Sequence, residues 1–214
     1  MTFHVDSEVG ALKQVILHRP GLELERLTPQ NVEDLLFDDV MWSQRAREEH
    51  DAFAQKLRDK GVIVHLFQDL LTEAIDQPGA REFLQEEFTT ANRFGPMLER
   101  RLDELVATAP AEVLSDALIG GLLRSDLDLD ADASLLLAYL APSDFLLTPL
   151  PNHLFQRDNS AWVYDGLSVN PMSKPARKRE TINSRTGSNV HPMSSDAGRP
   201  LYYGHDSATH GPAQ

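Results

Sequence analysis

The chain has 214 residues, 41% hydrophobic and 25% charged, with a formal net charge of −13 and no cysteine. That length suits one good core, or one core with a small satellite, and no apolar run approaches the length of a membrane span. The absence of cysteine excludes disulfides, thiolate metal sites and a cysteine nucleophile from these residues, and the acidic body argues against nucleic acid as the main partner.

Met1 to Asp6 has neither a basic region nor a long apolar core, so no signal peptide is visible and a cytoplasmic location is expected. Gln14-Val15-Ile16-Leu17 reads as a short buried strand, ended by the turn residues His18-Arg19-Pro20-Gly21. Thr28 reads as a helix N-cap with Pro29 at the first helical position. Trp42, Ala46, Phe53 and Leu57 fall on one helical face, and Gly61 is the C-terminal stop. Val62 to Phe67 is then a second strand. Strand, helices and strand make an α/β unit.

From Leu70 to Leu140 the pattern is helical. Pro78-Gly79, Gly95-Pro96, Pro110 and Gly120-Gly121 divide it into about five helices. Leu98, Leu102 and Leu105 form one apolar stripe. Val113, Leu114, Ala117 and Leu118 form another. Asp126, Asp128, Asp130 and Asp132 superficially match an EF-hand loop but lack its glycine and terminal glutamate. An acidic helix cap or a solvated loop is the plainer reading, and no metal is expected.

Strand character returns at Phe145-Leu146-Leu147. The stretch from Leu147 to Thr181 then carries the chemistry. It includes Asn152, Phe155, Arg157-Asp158, Asn170-Pro171-Met172 and Ala176-Arg177-Lys178-Arg179-Glu180-Thr181. Alternation through Ala161 and Val163 argues a strand. A carboxylate at a strand edge, an aromatic wall and nearby arginines suit an amino acid with a cationic side chain. The carboxylate would grip a guanidinium with paired hydrogen bonds, and an arginine would take the α-carboxylate. Five basic side chains against one acid between residues 171 and 185 suit a small anion better than a polyanion. Taken alone, Phe155 reads as core, Asp158 as a turn or exposed ion pair, and Arg177 as a solvated charge. After Thr181, Ile182 to Asn189 has little helical periodicity and many breakers.

The ordered set of motifs resembles bacterial arginine deiminases. It comprises Asn152-x-x-Phe155-x-Arg157-Asp158, Asn170-Pro171-Met172 and Ala176-Arg177-x-Arg179-Glu180-Thr181. Upstream are Ser7-Glu8-x-Gly10, Leu27-Thr28-Pro29, Leu35-Leu36-Phe37-Asp38-Asp39, Glu49-His50-x-x-Phe53 and Asp69-Leu70-Leu71-Thr72-Glu73. The resemblance implies hydrolysis of L-arginine to citrulline and ammonia, with no metal or organic cofactor and with homo-oligomers in the full-length family. It assigns Asp158 to the guanidinium, Asn152 and Arg177 to the α-carboxylate, Phe155 to the aliphatic stem and Leu36 to the mouth. Gln156 stands where the family usually has threonine.

The resemblance also implies a fold: an α/β class, part of a pentein-type propeller of ββαβ units with an inserted helical bundle. Residues 1–69 and 143–214 would belong to the propeller and residues 70–142 to the bundle. The family's nucleophilic cysteine, Glu-Gly-Gly-Asp segment and His-x-Asp motif have no counterpart in these residues. An N-terminal portion without catalytic residues, inactive alone, is therefore expected. The alternatives are a non-catalytic arginine-binding or subunit-interaction fragment, and a related amidinotransferase or dimethylarginine hydrolase.

Overall fold

A computed structural model describes residues 4–91, 96–127, 139–190 and 201–203. Its fold is mixed α/β, with helices around three small sheets and, among the described residues, no closed barrel. β1 (Gln14–Leu17) and β2 (Ile63–Leu66) pair in parallel, from Gln14 opposite Ile63 to Leu17 opposite Leu66. The crossover between them carries α1 (Leu22–Glu25) and α2 (Ser43–Asp59). Parallel neighbours need such a crossover because a tight turn cannot reverse the chain twice.

α2 ends as its sequence dictates. Gly61 adopts φ +81°, its N–H reaches the Arg58 carbonyl, and the Val62 N–H reaches Leu57. This pair of bonds closes the last turn, and a left-handed residue without Cβ makes it inexpensive. The expected apolar face is only partly used: Ala54 is buried, but Trp42 and Phe53 are exposed.

Two local expectations are corrected here. Thr28-Pro29 does not open a helix; residues 29–36 form successive turns. The Asn31 side chain accepts from the Thr28 N–H and donates to the Arg26 carbonyl, so it holds the backbone in a non-helical path. Leu36 then takes φ +62°, which ends any helical run. Phe67 belongs not to β2 but to α3 (Phe67–Ile75), which follows β2 without a loop.

α3, α4 (Ala80–Ala91), α5 (Pro96–Thr108) and α6 (Ala111–Gly120) are four successive helices. They bury the expected stripes: Leu98 and Leu102 on α5, and Leu114, Ala117 and Leu118 on α6. Val113 departs from its stripe and is exposed. These side chains join Phe67, Leu146 and Ile182 in one core, so the helices pack against both the earlier and the later parts of the chain.

At the end of α6, Arg26 donates through Nη1 to the Gly120 and Gly121 carbonyls at 2.9 and 2.6 Å. A cation there complements the helix C-terminus. β3 (Leu122–Leu123) and β4 (Phe145–Leu147) pair antiparallel. Asp126, from the acidic run, accepts from Arg26 and from the Leu123 N–H. Asp128, Asp130 and Asp132 lie outside the described residues.

A short 3-10 turn (Pro151–Leu154) leads into α7 (Gln156–Asn159) and the hairpin β5 (Ser160–Val163) and β6 (Gly166–Val169). β7 (Leu201–Tyr203) pairs in parallel with β6.

α8 (Lys178–Val190) spans the segment whose sequence shows little helical periodicity and many breakers. It buries Arg179, Glu180, Thr181, Asn183, Ser184 and Arg185, and among the side chains described on it Ile182 is the one large apolar anchor. Polar pairing holds it. Ser184 Oγ donates to Asn159, Thr181 Oγ1 to the Asn170 carbonyl, and Arg185 pairs with Glu87. A helix held this way shows no apolar stripe, which is why periodicity misses it.

Candidate functional site

Two short turns converge on Arg177. The 3-10 turn after Leu150 places Asn152, and α7 places Asp158. A second 3-10 turn (Pro175–Arg177) sets Arg177 directly ahead of α8. Pro151 and Pro175 each stand at the first position of their turns, where a missing N–H costs nothing.

The Arg177 guanidinium is shared. Nη1 donates to Asp158 Oδ2 at 2.8 Å, while Nε and Nη2 donate to Glu180 Oε1 and Oε2, both at 2.8 Å. Nη2 also lies 3.4 Å from the Asn152 carbonyl. The Arg177 side chain is 12% exposed, Asp158 50% and Glu180 0%. One acid is therefore open to solvent and the other is sealed in. Burial works to lower the Arg177 value, but the two carboxylates outweigh it and hold the cation charged. Burial pushes the Glu180 carboxyl up, with Arg177 and Asn159 opposing the shift.

Asn152 is buried, and its Nδ2 donates to the Leu35 carbonyl at 2.7 Å. That bond brings the turn segment carrying Leu36 beside the cluster. Leu36 and Phe155 are both exposed large apolar side chains. The structure thus joins Asn152, Asp158 and Arg177 by hydrogen bonds. Leu36 and Phe155 are each sequence neighbours of residues in that network. Arg157 points elsewhere and pairs with Glu8 of the N-terminal segment.

Behind the cluster lies a buried ring group. His153 stacks on Phe67 with centroids 4.8 Å apart, and His18 lies 5.7 Å from His153. Asn183 Nδ2 lies 3.0 Å from His153 Nε2, a contact that a neutral imidazole accepts. Burial holds His153 well below its ordinary value, and His18, Arg179 and Arg177 push it further down. His18 meets Glu23 at 3.1 Å, and the Gly21 N–H donates to the same Glu23 oxygen. Arg179 is buried against the carbonyls of Leu118 and Thr148, and burial pulls it down to about 10.

Among the described residues, no group of three or more His, Asp or Glu side chains is placed to hold a metal ion. None of the described helices is long and apolar enough to cross a membrane.

Reasoning from sequence misses Glu180 and His153 as parts of the site. Glu180 had an available signal, since Arg177 and Glu180 are three residues apart across a helix start. His153 had none, because its partners Phe67 and Asn183 are remote in the chain.

The exposed Asp158 carboxylate and the largely buried Arg177 guanidinium thus stand in direct contact, one charge open to solvent and the other held from the inside by Glu180. Residues 33–214 match the arginine deiminase family model, and the chain belongs to the arginine deiminase family.

Proposed function

We propose that this chain recognises free L-arginine, with Asp158 gripping the guanidinium and Arg177 and Asn152 taking the α-carboxylate. Phe155 walls the aliphatic stem and Leu36 covers the mouth. The observation that carries this reading is the direct Arg177–Asp158 contact, which already shows a guanidinium seated on Asp158. A bound arginine would take over Asp158 with its own guanidinium and release Arg177 Nη1 to its carboxylate. Each charge keeps a partner throughout. A ligand with only one of the two ends leaves one of these groups unpaired, which costs more than the new contact returns.

The family's reaction is hydrolysis of arginine to citrulline and ammonia, and it needs a nucleophile at the guanidinium carbon. These 214 residues contain no cysteine. Recognition without a nucleophile opens no covalent route. Accordingly, the chain by itself binds arginine and does not turn it over. The same reading takes the three sheets as parts of a propeller of ββαβ units, with residues 70–142 as its inserted bundle. It also expects a cytoplasmic location and, for the full-length family, homo-oligomers.

Calorimetric titration with arginine, citrulline and the decarboxylated analogue agmatine tests recognition. Arginine should bind most tightly. Equal affinity for citrulline would remove Asp158 from the guanidinium role. A colorimetric citrulline assay tests the second half, since product above a boiled control would show that another group supplies the nucleophile.

A further inference from the structure

We propose that Glu180 is the positioning residue of the carboxylate subsite, holding the Arg177 guanidinium from behind so that Nη1 faces the ligand. This rests on the reading of Arg177 given above. Glu180 covers the Nε–Nη2 edge with two bonds of 2.8 Å. Asn159 Nδ2 steadies the same Oε2 at 3.4 Å, and Ser184 Oγ in turn donates to Asn159 Oδ1 at 3.0 Å. Glu180, Asn159 and Ser184 are all buried, and two of them stand on α8, so the carboxylate is fixed by a rigid element.

A guanidinium offers five N–H donors in a planar fork. Glu180 takes two, and the Asn152 carbonyl lies beside the second Nη2 hydrogen. That leaves the two Nη1 donors, of which Asp158 uses one. The buried carboxylate is the permanent partner and the exposed one is exchangeable. A ligand carboxylate therefore has one approach, at Nη1, in the plane that Glu180 sets.

Electrostatics and positioning predict opposite outcomes when the charge of Glu180 is removed. Glu180→Gln deletes a negative charge close to the ligand carboxylate, which by charge alone would strengthen carboxylate binding. If Glu180 positions Arg177, the same change weakens it, because an amide presents only one acceptor and the guanidinium swings free.

The test compares arginine with agmatine on the full chain by calorimetry, in the native protein, Glu180→Gln and Glu180→Asp. Glu180→Gln should lower the arginine-to-agmatine affinity ratio by about tenfold. Glu180→Asp, which keeps the charge but is one methylene shorter, should fall between the two. An unchanged or raised ratio in Glu180→Gln overturns the proposal.

A second measurement is independent of ligand and of the variants folding equally well. In the native protein the Arg177 Nε–H should give a resolved nitrogen–proton resonance at pH 7 that exchanges slowly with water. A resonance exchanging like that of a surface arginine refutes the positioning role. If the native protein binds neither compound, arginine recognition fails, and the Arg177 resonance still decides whether Glu180 holds the guanidinium.

Discussion

Asn152 and Leu35 are 117 residues apart in sequence, yet the Asn152 amide donates to the Leu35 carbonyl at 2.7 Å. Both residues are buried, so water cannot replace the bond. It tethers the turns before Phe37 to the turn that precedes α7. Asn152→Ala strands a buried carbonyl and should lower stability by about 1–3 kcal/mol. Urea denaturation measures that loss. Limited proteolysis should show new cleavage between residues 29 and 40, while native-like resistance there would mean that other contacts hold the segment.

Arg177→Ala should be worse. It leaves the Glu180 carboxylate sealed in without its cation, a change that costs about 3–5 kcal/mol at neutral pH. Burial already raises the Glu180 value, and losing Arg177 raises it further. Protonation then relieves the defect. The variant should recover part of the lost stability between pH 7 and pH 5, so its denaturation midpoint should approach that of the native protein in that window.

The native protein should itself be sensitive to acid, through other groups. Burial lowers His50 and holds His153 well below the ordinary 6.5. A depressed folded value means that the unfolded chain binds the proton first. The stabilisation is complete above about pH 6.5 and is lost as pH falls toward the folded values. Thermal melts from pH 8 to pH 5 should therefore decline below pH 6.5. His153→Gln, which cannot titrate, should flatten that decline even if its melting temperature is lower at every pH.

Gly121 is fixed by its backbone and by its neighbours. It adopts φ +82°, and a Cβ there would sit 2.5 Å from the Leu147 carbonyl oxygen and 2.8 Å from the Pro149 nitrogen. Gly121→Ala should lower stability by about 2–4 kcal/mol through strain and overpacking. Gly79→Ala is the control: its φ is +84°, but a Cβ would meet nothing within 4 Å. Only backbone strain should appear there, so chemical denaturation should show a clearly smaller loss.

The legible parts of this chain are those that one residue type or one period specifies. β1, β4 and β5 follow from short apolar or alternating runs, and the end of α2 follows from Gly61. Gly121 likewise marks the end of α6. The turns after Thr28 escape such reading because a single amide, Asn31, outweighs the N-cap signal of Thr28-Pro29. α8 escapes because its partners lie elsewhere in sequence: His153 for Asn183, Asn159 for Ser184, Glu87 for Arg185. Asn152, Asp158 and Arg177 are candidates from the order of motifs and from charge, and the structure brings the three into one hydrogen-bonded cluster. What the sequence conceals is that Arg177 already occupies Asp158, with a second, buried acid at its back.

The polar packing of α8 bears on the order of events in folding. An apolar helix can slide against a half-formed core and still gain from contact. α8 cannot, since any misregistered insertion desolvates its amides, hydroxyls and guanidinium groups without giving them partners. It must therefore dock late, after the rest of the core has presented its acceptors. Substitutions at Asn183 or Ser184 should accordingly hasten unfolding while leaving the folding rate nearly untouched. If the kinetics follow that pattern, the helix that carries Glu180 is a latch whose opening governs the lifetime of the native state.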